Sequence, residues 1–254
     1  MNAVIASIHF TFLDLWHHRI ISFACALITA FWSIGSFFSM LIVSGHVKVL
    51  IDFYCAAHHF FVIIFPFIFI LQFFKRLEDT HFYHWFLISG CPRSAFLLGA
   101  FCAFFLVLSA SAFLFFCSML FFMRYQTGFW FFYLWPVFLL HVLEGTLLVS
   151  FALFWSMILS LYWACAAFIF SYTICLLNHS WITIMEQKTK GLFHIACLIM
   201  YYAVPDLELI NIQSNVMYEL SIDPSLLFFS EIYIACFCVI LVWASIKIFD
   251  RKSL

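Results

Sequence analysis

Residues 75–99 read KRLEDTHFYHWFLISGCPRSAFLLG. Lys75, Arg76, Glu78 and Asp79 crowd into the first five positions, and Arg93 follows near the end. On both sides the sequence is almost purely apolar. A charged stretch between two long apolar runs reads as a surface platform between two membrane spans. The main functional question is what docks on it.

The rest of the composition agrees. The chain has 254 residues, 67% hydrophobic and 9% charged, with a mean hydropathy of +1.13. Soluble domains carry about 25% charged residues, so a water-facing surface cannot be covered here. Several runs reach the roughly 20 apolar residues that cross a bilayer. The expected fold is a single all-α integral membrane domain over residues 1–254. A net charge of −1 gives no reason to expect nucleic acid. The 38 phenylalanines suit lipid-facing positions and carry no functional signal. Of the ten cysteines, Cys25, Cys102, Cys117, Cys165, Cys175, Cys236 and Cys238 fall inside expected spans. None has the spacing of a disulfide framework or a zinc site.

Residues 1–18 are too polar to span. Ile5, Ile8, Phe12 and Leu15 recur at helical spacing, with Phe10, Leu13 and Trp16 nearby, as in an amphipathic helix lying in the membrane interface. The segment lacks the basic start and cleavage site of a signal peptide, so it is expected to stay in the mature protein. Spans are then expected over residues 20–44, 52–74 (with Pro66 as a kink), 95–122, 131–154, 160–178 and 232–249. Residues 130–181 hold one charged residue, Glu144. As one helix they would run nearly 80 Å, more than twice a bilayer core, so they must divide. Residues 182–231 form an outer loop. Within it the apolar run 191–204 is too short to cross and is expected to dip in and return.

Orientation follows from lysine and arginine. With both termini and the platform on one side, that side holds Arg19, Lys75, Arg76, Arg93, Lys247, Arg251 and Lys252. The other holds Lys48, Arg124, Lys188 and Lys190. The excess places both termini and the platform in the cytoplasm.

Three local patterns in this order resemble one family. Glu78-Asp79, then Trp85-Phe86-Leu87-Ile88-Ser89, then Arg93 to Gly99 look like a coupling helix and the entry to the third span. Pro205-Asp206 followed by Ile210-Asn211-Ile212-Gln213 looks like an outer-loop element. Phe249 to Leu254 looks like a basic C-terminal ending. Together they resemble the membrane (permease) subunit of bacterial ABC transporters of the ABC type 2 superfamily, nearest the permeases associated with multicopper-enzyme maturation. The match departs at Pro92, which is adjacent to Arg93, at Ala100 where the family has lysine, and at Ser253 where it has an acidic residue.

The resemblance implies six transmembrane helices, an N-terminal interfacial helix, a cytoplasmic coupling helix over 75–93 and a re-entrant outer segment before the last span. It implies a homodimer joined to two ATPase subunits in the bacterial inner membrane. Glu78, Asp79, Phe82, Trp85, Phe86 and Arg93 would then couple to the ATPase, with the aromatics as anchors. Without it, the same aromatics read as an interfacial helix at headgroup level. Pro205, Asp206 and Asn211 would form the outer-loop element. None of the seven glycines opens a P-loop. ATP and magnesium would therefore sit on the partner subunit, with no cofactor and no catalytic residue in this chain, which is not itself an enzyme. The substrate class that suits spans without a charged lining is lipid-like or amphipathic.

Glu144 is the one carboxyl that must sit deep, where an ionisable group is costly and marks a candidate site. His141, one turn earlier, shares its face and is placed to pair with it. Gly145 permits a neighbouring helix to approach closely. Two readings stay open: a gate or substrate contact near the dimer seam, or a hydrogen-bonded packing residue. His58 and His59 point about 100° apart on a helix, and His81 and His84 share a face without a third ligand, so no metal site is expected. The alternatives to a transport subunit are a haem- or metal-handling membrane protein using these histidines, and a membrane scaffold of a larger assembly.

Overall fold

A computed structural model describes residues 3–17, 20–41, 46–78, 92–188, 195, 204–207 and 224–251. Seven α-helices dominate it: α1 (Ala3–His17), α2 (Ile20–Leu41), α3 (His46–Glu78), α4 (Arg93–Thr127), α5 (Trp135–Ile158), α6 (Leu161–Lys188) and α7 (Pro224–Arg251). A 3-10 turn, Phe132–Leu134, leads into α5. No strand occurs among the described residues. An apolar chain in lipid must satisfy every backbone group internally, and a helix does so within one segment.

Among the described residues, five stretches are long and apolar enough to cross a membrane: Val47–Leu71, Arg93–Thr127, Phe132–Ile158, Leu161–Asn178 and Leu227–Arg251. Their outward surfaces are what lipid favours and water does not. Phe113, Leu114, Phe121, Phe170, Val239 and Trp243 are all exposed. Aromatic residues gather at the two ends of α5. Tyr125, Phe129, Trp130 and Trp135 are exposed at its start, and Tyr162 and Trp163 are exposed just past its end. At 1.5 Å per residue the two groups stand about 35 Å apart, the spacing of two interfacial belts. The chain is an all-helical membrane protein.

The division of residues 130–181 falls at Leu159 and Ser160. Leu159 is extended, and its N–H still donates to the Trp155 carbonyl at 2.9 Å. One extended residue turns the chain without glycine, proline or charge. Other boundaries carry ordinary signals. Pro92 precedes α4, and its carbonyl accepts from Ala95 N–H at 3.0 Å. Gly128 closes α4 in the left-handed region (φ 81°), its N–H donating to Arg124 at 2.9 Å. Helix α3 runs unbroken through Pro66.

Helix α5 is the hub and packs against α3, α4, α6 and α7. Over residues 140–150 every residue but Leu143 is buried. Helix α1 lies against α4 through Ser7, Thr11 and Leu15, one residue per turn. Gly99 makes that contact possible, because a side chain there would fall on Ser7. Ser7 Oγ donates to the Phe96 carbonyl at 3.1 Å. The outward side of α1 carries Ile5, Phe10, Phe12 and Leu13. Small polar groups thus face protein and large apolar ones face away, the reverse of a water-facing helix. Leu15, expected on the membrane-directed stripe with Ile5 and Phe12, faces α4 instead.

The start of α4 meets the end of α7. Arg93 Nη1 donates to the Phe249 carbonyl at 3.3 Å, and the rings of Phe96 and Phe249 stack 6.3 Å apart. So α1, the start of α4 and the end of α7 share one end of the bundle.

Candidate functional site

Hydroxyls in the spans mostly satisfy themselves. Ser111, Thr146, Ser150, Ser156 and Ser245 each donate to the carbonyl four residues back in their own helix. Four other polar side chains bond one another across two helices, and they meet at one place.

That place lies between α3 and α5. His58 and His59 are consecutive on α3, and His141 and Glu144 are one turn apart on α5. His58 Nδ1 and His141 Nδ1 are 3.0 Å apart. His59 Nε2 is 2.9 Å from Glu144 Oε1. The roughly 100° between consecutive helical residues sends the two α3 rings to different partners. The rings also stack: His59 on His141 at 4.9 Å and 11°, and His58 on His141 at 5.2 Å and 23°. Tyr172 of α6 closes the outer side, its hydroxyl 3.5 Å from His59 Nε2.

Local sequence explains why the helices come this close. Gly145 follows Glu144 directly. A Cβ built on it would lie 2.6 Å from Val62 Cγ1 of α3 and 2.8 Å from Leu108 Cδ2 of α4. Only glycine lets both neighbours approach one turn below the polar pairs, as expected at Gly145. Phe115 and Phe138 wall His58 at ring distances of 5.5 Å each.

Glu144 is nine residues into α5, about 14 Å from its start, so the group sits inside the apolar thickness. His58, His141 and Glu144 are buried. His59 is the accessible member, its side chain 30% exposed against 9% for Glu144. Beside the histidine pair lies a cavity about the size of one water molecule, lined by Cys55, His58, Met119, Leu134, Val137 and His141. It has two imidazoles to hold a water and an apolar wall elsewhere.

The expected His141–Glu144 pair does not form: each residue takes a partner on α3. His58, His59 and Tyr172 complete the group, and only their polarity within apolar spans singled them out in the sequence. Among the described residues no three His, Cys, Asp or Glu side chains converge in a metal-holding arrangement. The cluster is two hydrogen-bonded pairs laid against each other.

The other candidate residues lie elsewhere. Asp79, Phe82, Trp85, Phe86 and Asn211 fall outside the described residues, as do most of the coupling-helix and re-entrant segments. Glu78 is the last residue of α3. Arg93 is occupied by Phe249, bonding its carbonyl and lying 6.0 Å over its ring. Pro205 and Asp206 are buried at the far end of the bundle. Asn178 Nδ2 donates to the Val204 carbonyl at 3.0 Å. Leu207 N–H donates to the Cys175 carbonyl at 3.2 Å. Asp206 N–H donates to the Tyr233 hydroxyl at 3.1 Å. The segment is therefore pinned to both α6 and α7. Asn178 and Tyr233, its anchors, carry no motif that would mark them in advance.

Comparison with protein-family models and with curated proteins gave no match.

Proposed function

We propose that the chain is the transmembrane subunit of an ATP-driven exporter. In this reading α2 to α7 are six spans and α1 is an interfacial helix. A coupling helix within residues 75–93 docks on a separate ATPase, and residues 182–231 carry a re-entrant outer segment. Two copies and two ATPase subunits make the complex. It sits in the bacterial inner membrane with both termini in the cytoplasm and moves a lipid-like or amphipathic substrate outward.

One observation carries the reading, namely which chain ends share an end of the bundle. Ser7 bonds Phe96, and Arg93 bonds Phe249. The start of α4, which directly follows the charged stretch in sequence, therefore lies beside both α1 and the close of α7, in this reading the side richer in lysine and arginine. The Pro205-Asp206 element is bonded to Tyr233, sixteen residues up α7 from Phe249 and about 24 Å away. A platform at one end and a pinned outer element at the other is the arrangement an ATPase could push on. Closure of the ATPase pair would move the platform and rearrange α2, α3 and α6, the faces of the proposed permease seam. The polar cluster joins α3 to α5, with Tyr172 of α6 at its edge.

Purification from native membranes tests the proposal. An ATPase subunit in equal amount, with the chain as a dimer, is the expected result. A preparation with a Soret band and no ATPase would replace the reading with a haem-handling protein, and stoichiometric nontransporting partners would make the chain a scaffold.

A further inference from the structure

The cross-helix cluster has a charge logic of its own, independent of the transporter reading. His58 and His141 face each other through their Nδ1 atoms at 3.0 Å. One Nδ1–H donating to the other ring's lone pair satisfies that contact with both rings neutral, while His58 Nε2 is buried without a hydrogen-bond partner among the described residues. His59 differs, because it alone touches the carboxylate, at 2.9 Å. Glu144 ionised and without a cation would be a bare charge deep in the apolar layer. A proton on His59 removes that cost. A second imidazolium is disfavoured, since the His141 ring lies only 4.9 Å from His59 and 5.2 Å from His58. The geometry thus admits one positive charge and assigns it a place.

We propose that His59 and Glu144 form an intramembrane binding site for a single proton, which enters and leaves at the face between α3 and α6. Loading adds one proton to the neutral His59 ring, giving imidazolium against carboxylate with no net charge. Release returns a neutral ring beside the carboxylate and leaves the site at net −1. Release therefore needs either a rearrangement that admits water or a replacing cation. His59 is 30% exposed, while His58 and His141 are buried, so His59 is the member that a rearrangement admitting water reaches first. The titratable groups nearby are few. Helix α3 adds Cys55, with Asp52 beyond it, and α6 adds Tyr172 and Cys175, with Asp206 beyond Cys175. Helix α4 puts the ring of Phe115 against His58. None of these is a cation, so no other fixed charge takes the proton's place among the described residues.

Nitrogen-15 histidine NMR on the full chain in lipid nanodiscs tests the site. At neutral pH one cluster histidine should carry protons on both ring nitrogens. That signal should vanish in His59→Gln and in Glu144→Gln, while the hydrogen-bonded Nδ1 signals of His58 and His141 persist in His59→Gln. In deuterated buffer His59 should exchange before the His58–His141 pair. Carboxyl-labelled infrared spectroscopy of the unaltered chain provides a reading that needs no variant to fold, and should show Glu144 as carboxylate. Neutral rings throughout, a carboxylic-acid band at neutral pH, an imidazolium that survives Glu144→Gln, or exchange in the reverse order would each overturn the proposal.

Discussion

Glu144 bonds His59 of α3 at 2.9 Å, and not His141 one turn back on its own helix. Helices α3 and α5 therefore exchange two polar contacts in parallel register, His58 with His141 and His59 with Glu144. A carboxyl satisfied by a neighbouring helix does something a carboxyl satisfied locally cannot: it fixes how the two helices lie against each other. Any movement of α3 past α5 must break both contacts.

Substitutions at Glu144 separate its hydrogen bond from its charge. Glu144→Gln keeps an acceptor for His59, whereas Glu144→Ala leaves the ring without its partner. Loss of a partner for a buried polar group costs about 1–3 kcal/mol, and the partial exposure of His59 puts Ala at the lower end of that range. Thermal unfolding in detergent should show Ala clearly less stable and Gln close to the parent. If charge also matters for transport, Gln will be stable and inactive in vesicle uptake. A Gln variant that transports normally would reduce the residue to a packing role.

Much of the fold was legible because apolar length is a strong signal. The divided stretch 130–181 and a deep Glu144 both follow from residue counts, while the platform expected over 75–93 lies mostly outside the described residues. The partner of Glu144 was not legible. His141 at i−3 is the only candidate that a single helix offers, while His59 becomes a neighbour only once Gly145 lets α3 approach Val62-first. The turn at Leu159 had no marker because one extended residue suffices. The inward face of α1 was hidden for a related reason: Ser7, Thr11 and Leu15 are unremarkable as a stripe until Gly99 provides the surface that receives them.

Gly145 is the residue on which the cross-helix contacts depend. Gly145→Ala places a methyl 2.6 Å from Val62 Cγ1, and overpacking of this kind typically costs about 1–3 kcal/mol. Val62→Ala removes the atom in the way. The double variant should therefore be more stable than the sum of the two single losses predicts, measured by thermal unfolding. Simple additivity would show that α3 does not close on α5 at this point.

The arrangement of ends predicts labelling. Cys91 and a tag after Leu254 should lie on one side of the membrane, and a cysteine at Gln213 on the other. An impermeant thiol reagent applied to intact cells, with the other cysteines removed, should reach only position 213. Labelling of Cys91 from outside would overturn the orientation and the coupling role with it.

Trp85 tests the proposed docking stretch. Truncating an aromatic anchor at an interface typically costs about 2 kcal/mol or more. Trp85→Ala should insert normally yet lose most of the co-purifying ATPase. Unchanged co-purification and ATP turnover would mean that the platform aromatics only rest at the headgroups.

The His58–His141 contact gives a test that depends on no assumption about activity. Each ring supplies the other's hydrogen bond in a buried setting, walled by Phe115 and Phe138. Replacing one ring with leucine leaves a buried polar nitrogen facing an alkyl group, a loss of about 1–3 kcal/mol. Replacing both removes the need for the bond, and two apolar side chains at that position are compatible with the surrounding phenylalanines. His58→Leu and His141→Leu should each destabilise the chain, and the double variant should cost less than their sum by about 0.5–3 kcal/mol, the range for side chains in direct contact. Unfolding of the four proteins in the same detergent measures the coupling. A coupling near zero would mean that the two rings do not share a hydrogen bond, and that the water-sized cavity beside them satisfies each ring separately.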